Sequence, residues 1–273
     1  MAIMFRTFSV VIFSIMSILS AAGQSLPSSS ENLHSRIRLI SGGPQGEYWL
    51  AGVEIVLDEG FKTYWRNPGE SGLPPRFDWS GSENAANVEI KWPAPERHED
   101  AAGVAYTYSK RVILPVLAKA TDPGKPIKLA VTVEYGICKD ICIPAQAELS
   151  TDLSGEGSER PLIQQALAQV PQPQALGQDG ELSVLSVKPV AQDKPALSVV
   201  VRAPAGEKST LFAEGPENWY VSTSLPDAEN RFTVTVEEKP KEASGPVSLR
   251  LTLVAGGKAV ETEVSLDGNG VPR

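Results

Sequence analysis

Histidine and cysteine are scarce, with two of each among 273 residues. His34 lies in a polar N-terminal stretch that we expect to be flexible, and we interpret His98, in the charged run 96–100, as a solvated loop residue. We therefore expect neither a Ser-His-Asp triad nor a histidine-rich metal site. Two cysteines without a neighbouring histidine do not make a structural zinc site, and a dinucleotide-binding glycine motif and a P-loop are both missing. The sequence predicts no metal and no cofactor.

Positive charge is not concentrated in any segment. The chain has 25 Lys and Arg against 33 Asp and Glu, a net charge of −8, and no basic cluster. We therefore expect no nucleic-acid partner, because nucleic-acid binding depends on a basic surface.

Long apolar runs are also missing once the N-terminus is set aside. Residues 1–23 hold one arginine, the apolar run 10–19 and then Ser20, Ala21 and Ala22, which is the pattern of a cleaved secretory signal peptide. A retained N-terminal anchor is the alternative. No later stretch approaches the roughly 18 apolar residues of a membrane helix. We expect a soluble mature protein in an oxidising compartment, where disulfides persist.

The composition favours an all-β protein with many turns, because 22 Pro and 23 Gly accompany short runs rich in Val and Thr. About 250 mature residues suffice for two domains. We predict a flexible N-terminus at 24–34 and a first domain at 35–154, with strands at 35–41, 48–57, 88–92 and 105–116 and a cysteine hairpin. Residues 60–79 hold several Gly, Pro and aromatic residues, so we predict a long functional loop there rather than a regular strand.

A composition change near Gly155 indicates a domain boundary. Apolar residues at helical spacing predict a short helix ended by Pro171, followed by a Pro/Gln/Gly linker, so that helix and linker fill 155–180. The second domain, 181–273, shows strand patterns at 182–188, 196–203, 210–214, 219–224, 231–237, 247–254 and 259–266. That number of short strands is typical of an immunoglobulin-like sandwich.

The only two cysteines close a predicted hairpin. Apolar residues alternate with polar ones from Ile127 to Tyr135 and again from Ile143 to Leu149, with the turn at 139–141. Cys138 and Cys142 have the opposite parity to the apolar residues, so both sulfurs should lie on the face turned away from the core. Directly opposed residues are close enough for a disulfide, so we expect an exposed, reversible cross-strand disulfide.

A structural disulfide in a redox-inert binding or scaffold protein is the alternative interpretation. So short a ring would stabilise the fold by only about 2 kcal/mol, which argues against a purely structural role. Lys139 would favour the thiolate and Asp140 would oppose it, so these neighbours do not decide between the two interpretations.

Several motifs, taken in order, make residues 35–152 resemble the N-terminal periplasmic domain of DsbD-type thiol:disulfide interchange proteins, including the ScsB-like branch. They are YWRNPG at 64–69, SGLPP at 71–75, IKWPAP at 90–95, Tyr106-x-Tyr108, VILPV at 112–116 and the cysteine segment 138–144. The resemblance implies that the first domain is also an immunoglobulin-like sandwich. The whole chain would then be two such sandwiches joined by a short helix and a linker.

The same resemblance implies a periplasmic redox module that passes electrons through Cys138 and Cys142 to thioredoxin-fold proteins. By analogy Cys142 attacks the partner disulfide and Cys138 resolves the complex. A cap covers the pair in the family, and we expect Phe61, Tyr64 and Trp65 to play that part. Because neither the family's membrane domain nor its thioredoxin domain follows, we expect a separate membrane protein to donate the electrons.

Overall fold

The computed structural model describes residues 26–101, 103–241 and 246–267, so the predicted signal peptide at 1–23 lies outside the described residues. Within them the fold is β-rich, with one short helix, and confirms the all-β immunoglobulin-like prediction. No helix in these ranges is both long and apolar enough to cross a bilayer.

The first sandwich packs two sheets around one core. One sheet has the order β1-β2-β3-β9-β6, with β1 Ser29–Asn32, β2 Ser35–Gln45, β3 Tyr48–Leu57, β6 Ala85–Ile90 and β9 Arg111–Ala120. The other has the order β11-β10-β4-β8-β7, with β4 Lys62–Gly69, β7 Glu96–Asp100, β8 Gly103–Ser109, β10 Ile127–Cys138 and β11 Cys142–Leu153. A short strand, β5 Arg76–Asp78, pairs with β10. The core side chains alternate along the strands of both sheets, as half-buried strands require.

The second sandwich also has two sheets. The first has the order β12-β19-β18-β15, with β12 Gln172–Pro173, β15 Thr210–Glu214, β18 Val247–Ala255 and β19 Lys258–Leu266. The second has the order β13-β14-β17-β16, with β13 Ser183–Val190, β14 Ala196–Arg202, β16 Tyr220–Thr223 and β17 Arg231–Glu238. The predicted strands are present here with small shifts at their ends, and buried residues alternate cleanly along β17.

Three segments of the first sandwich differ from the sequence prediction. The N-terminal stretch predicted to be flexible contains β1, and the Ser150 amide donates to Pro27 O at 2.8 Å. The run 105–116 is two strands rather than one, because Lys110 has a φ of 59° and turns the chain from one sheet to the other. Residues 60–79 contain β4 and β5, with a register shift in β4 between Tyr64 and Gly69 that accommodates the irregular sequence.

The predicted helix and linker are both attached to the sandwiches. Helix α1 spans Arg160–Leu167, so it ends before Pro171, and its fully buried Ile163 packs with Ile40, Leu50 and Ile113 on the first sandwich. The linker contributes β12, which pairs in parallel with β19. The segment between the sandwiches is therefore not a free spacer.

A buried carboxylate lies on the outer face of the first sandwich. Glu54 of β3 is 3% exposed and forms ion pairs with Arg38 and Arg111. Burial alone would raise the pKa of Glu54, but the hydrogen bonds and charges of the two arginines outweigh it and lower that pKa.

Candidate redox site

The cysteine pair closes the hairpin of β10 and β11. The two strands are in register from Ile127↔Leu153 to Cys138↔Cys142, and residues 139–141 form the turn, as the alternation predicts. Cys138 and Cys142 form a disulfide with Cα atoms 4.2 Å apart.

The two cysteines differ in exposure. Cys142 is exposed, but Cys138 is only 7% exposed and clusters with Tyr64 and Ala105. The prediction that both sulfurs lie on an open face is therefore wrong for Cys138. Strand alternation assigns a side chain to a face, but here neighbouring strands bring Tyr64 and Ala105 over that face.

Tyr64 covers the disulfide. Its hydroxyl donates to Cys138 Sγ at 2.9 Å and lies 3.0 Å from Cys142 Sγ. Burial, and secondarily the charge of Asp100, raise the pKa of Tyr64, so its hydroxyl stays protonated at neutral pH and can donate to a sulfur anion.

Two glycines make the space that the Tyr64 ring occupies. A Cβ added at Gly72 would lie 2.5 Å from the ring, and one added at Gly136 would lie 3.2 Å from the ring and 2.8 Å from Leu73 Cβ. Sequence analysis missed both positions. A glycine inside a strand pattern often marks close approach of another group, and Gly136 in β10 carries that signal.

Charged groups lie on the strands beside Tyr64. Lys62 of β4 is in register with Cys138, and its Nζ donates to His98 Nε2 at 2.6 Å. His98 Nε2 is also 3.5 Å from Asp100 Oδ2. His98 thus belongs to strand β7 and contacts Lys62, which corrects its interpretation as a solvated loop residue. A cation near a thiol favours the thiolate, and the nearby Asp100 opposes it.

The residues predicted to form a cap occupy three different environments. Tyr64 contacts both sulfurs, whereas Phe61 is partly exposed and stacks on His34 with ring centroids 4.0 Å apart. Lys139 of the hairpin turn places its Nζ 5.7 Å from the Phe61 ring centroid. Trp65 is fully buried in the core and points away from the disulfide, because neighbouring residues of a strand face opposite sides.

The surface around Cys142 is partly apolar. Ile141, at the hairpin tip, is 77% exposed, and Leu73 is 42% exposed. Leu73, Pro74 and Pro144 line a groove beside β10 and β11. Among the described residues, no cluster of His, Cys, Asp or Glu is arranged to hold a metal ion.

Residues 39–154 match the family model described as thiol:disulfide interchange protein DsbD, N-terminal. This confirms the resemblance over the first sandwich and, with the cysteine pair, indicates a thiol-disulfide exchange module. No curated protein matches the chain significantly.

The fold is similar to the crystal structure of the N-terminal periplasmic domain of ScsB from Proteus mirabilis. The TM-score is 0.65 at 20% identity, over 86% of this chain and 94% of that one, so the likeness includes both sandwiches. An endo-fucoidan hydrolase of glycoside hydrolase family 107 also matches, with a TM-score of 0.25 at 9% identity over 77% of this chain and 34% of that one. A conserved domain protein from Bacillus anthracis has a TM-score of 0.22 at 10% identity over 89% and 90% of the two chains. Those two scores are too low to support an argument.

Proposed function

We propose that this chain is a periplasmic thiol-disulfide exchange module that relays electrons through Cys138 and Cys142, between a separate membrane reductant and thioredoxin-fold protein partners. The observation that carries the proposal is the unequal exposure of the pair. Exchange needs one accessible sulfur to attack and a second within reach to resolve the complex, and Cys142 and Cys138 fit these roles. The family match and the signal-peptide pattern of residues 1–23 support the periplasmic location.

In the proposed reaction, the Cys142 thiolate attacks one sulfur of the partner disulfide. A mixed disulfide forms, the partner's S–S bond breaks, and the released partner thiolate takes up a proton. The Cys138 thiolate then attacks the Cys142 sulfur, restoring the Cys138–Cys142 disulfide and releasing the second partner thiolate, which is also protonated. Two electrons and two protons pass to the partner, and a dithiol on the membrane reductant returns them by the reverse exchange.

The partner is expected to approach over Cys142, because that side combines the exposed sulfur with apolar surface. Ile141 adjoins Cys142, and Pro144 and Leu73 line the neighbouring groove. A few well-packed residues at the centre of a contact provide most of its binding free energy, and charged residues are depleted there. Phe61 and Lys139 lie beside the same hairpin turn and would meet the partner at its edge.

The test is to trap the mixed disulfide. Reduced Cys138→Ser and Cys142→Ser proteins are each incubated with an oxidised thioredoxin-fold protein and run on a non-reducing gel. We expect a covalent complex from Cys138→Ser, because Cys142 can still attack and nothing resolves the product. Cys142→Ser and the double variant should give none.

Complex from Cys142→Ser alone would reverse the two roles. Complex from neither single variant would instead support the redox-inert alternative. The ease of reduction gives a second criterion, because structural disulfides typically have potentials below about −300 mV and resist mild dithiols.

A further inference from the structure

We propose that the second sandwich controls the reactivity of the cysteine pair by holding Tyr64 over it. This inference deepens the proposed function and rests on it. It starts from the order of side chains along β4, where Tyr64 contacts the sulfurs and the next three residues, 65–67, all contact the second sandwich.

Trp65 makes the apolar part of this contact. Its ring packs edge-on against Phe212 of β15, with centroids 5.6 Å apart and an interplanar angle of 60°. Tyr106 of β8 completes the cluster, 4.8 Å from Phe212 at 90°. Edge-to-face contacts of this kind stabilise aromatic pairs beyond the burial of area. Phe212 is 1% exposed and belongs to the core of the first sandwich, although its strand belongs to the second.

Arg66 makes the charged part of the contact with the second sandwich. Its Nε and Nη2 donate to the Glu214 carboxylate at 3.0 and 2.7 Å, and Nη2 also donates to Glu261 at 2.7 Å. Burial opposes the charge of Arg66, but the hydrogen bonds and charges of Glu214 and Glu261 outweigh it and raise the pKa of Arg66. Asn67 adds a bond from Nδ2 to Ala213 O at 3.3 Å. Paired charges of low exposure hold geometry well, because separating them leaves an uncompensated charge.

Two further residues near Tyr64 also contact the second sandwich: Glu70, which follows β4, and Tyr106 of β8. Glu70 accepts a hydrogen bond from the Val104 amide at 3.2 Å, at the start of β8. Burial, and then the charge and hydrogen bond of Glu70, raise the pKa of Tyr220 in the second sandwich. The Tyr106 hydroxyl lies 3.3 Å from Thr223 Oγ1 of the second sandwich. Strands β4 and β8, which border the site, therefore both contact the second sandwich.

The consequence for Tyr64 follows from its place in the chain. The Tyr64 ring is packed closely against Gly72 and Gly136, so a shift of the β4 backbone is needed to free it from the sulfurs. The next two residues, Trp65 and Arg66, anchor that backbone on β15. Loosening the anchor should let the ring leave more often and expose the buried Cys138 sulfur. Phe212 and Glu214 are positioning residues in this sense, because they act through Tyr64.

The experiment compares two fully buried phenylalanines of the second sandwich in the full chain. Phe212→Leu removes the ring that contacts Trp65, and Phe232→Leu is the matched control in the second core. The readout is the rate at which dithiothreitol reduces the Cys138–Cys142 disulfide. We expect at least a threefold faster reduction for Phe212→Leu and the wild-type rate for Phe232→Leu.

The reduction rates of Phe212→Leu and Phe232→Leu are then measured in a Tyr64→Ala background, which has no Tyr64 ring for the second sandwich to hold. There Phe212→Leu should have no further effect, because coupled residues give non-additive changes. Equal rates for Phe212→Leu and wild type, or the same acceleration with and without Tyr64, would overturn the proposal.

If Phe212→Leu does not fold, as judged by circular dichroism, Glu214→Gln serves instead. It loosens the anchor and leaves Glu261 to pair with Arg66, and a smaller acceleration that also disappears in Tyr64→Ala is expected. Reduction by a small dithiol needs no protein partner. A failed trapping experiment would therefore count against the proposed exchange reaction, whereas an unchanged reduction rate would count against the positioning role alone.

Discussion

Replacing Tyr64 with phenylalanine isolates the chemical part of its contact with the sulfurs. The ring remains between Gly72 and Gly136, so shielding is retained, but the hydroxyl 3.0 Å from Cys142 Sγ is removed. In the reduced protein this hydroxyl can donate to the Cys142 thiolate. We therefore expect Tyr64→Phe to raise the pKa of the Cys142 thiol.

The size of the effect follows from the strength of the hydrogen bond. Bonds to charged groups contribute about 1.5 to 3 kcal/mol, and about 1.4 kcal/mol corresponds to one pKa unit. The thiol pKa should therefore rise by about one to two units. Below the pKa the thiolate fraction falls tenfold per unit, but the remaining thiolate is more nucleophilic, with a Brønsted coefficient of about 0.4 to 0.5. The net reaction rate at a fixed low pH should fall by about three- to fifteenfold.

The assay is the pH dependence of iodoacetamide alkylation in the Cys138→Ser background, where Cys142 is the only thiol. Tyr135→Phe is the matched control, since its hydroxyl bonds Ser35 Oγ at 2.8 Å and not a sulfur. It should leave the profile unchanged. An unchanged thiol pKa and reaction rate in Tyr64→Phe would refute the claim that the hydroxyl stabilises the thiolate, and would leave the ring as a shield only.

Two further predictions concern stability. The Cys138→Ser/Cys142→Ser protein should lose no more than about 2 kcal/mol in denaturant unfolding, because the ring is short, and a double variant unfolded at 37 °C would support a structural disulfide. The lowered folded-state pKa of Glu54 contributes stability that is present above its unfolded pKa and is lost as pH falls through the folded value. Glu54→Gln should therefore be less stable at neutral pH and lose less stability on acidification, and parallel stability–pH curves for the two proteins would contradict this.

Local patterns in the sequence determined the hairpin and most of the second sandwich. The alternation from Ile127 to Tyr135 and from Ile143 to Leu149 specifies which residues face the core and brings Cys138 opposite Cys142. This information is local, because strand period and turn length act over a few residues. The all-β fold class could be obtained from this local information, whereas the family resemblance depended on the motifs between Tyr64 and Pro144.

Contacts between distant segments decided the rest. Tyr64 is 74 residues from Cys138 in the chain, and its place over the sulfur depends on β4 lying beside β8 and β10. The alternation predicts that Cys138 and Ile137 face opposite sides of the sheet, but it does not predict that residues of other strands bury Cys138. In the same way, the pattern around Trp65 indicated an aromatic residue in an irregular segment, while Phe212, 147 positions later, decided that it faces the second sandwich. The sequence by itself thus determined that Cys138 and Cys142 lie opposite each other across a hairpin. Only tertiary packing decided that the Cys138 sulfur is shielded and the Cys142 sulfur is exposed.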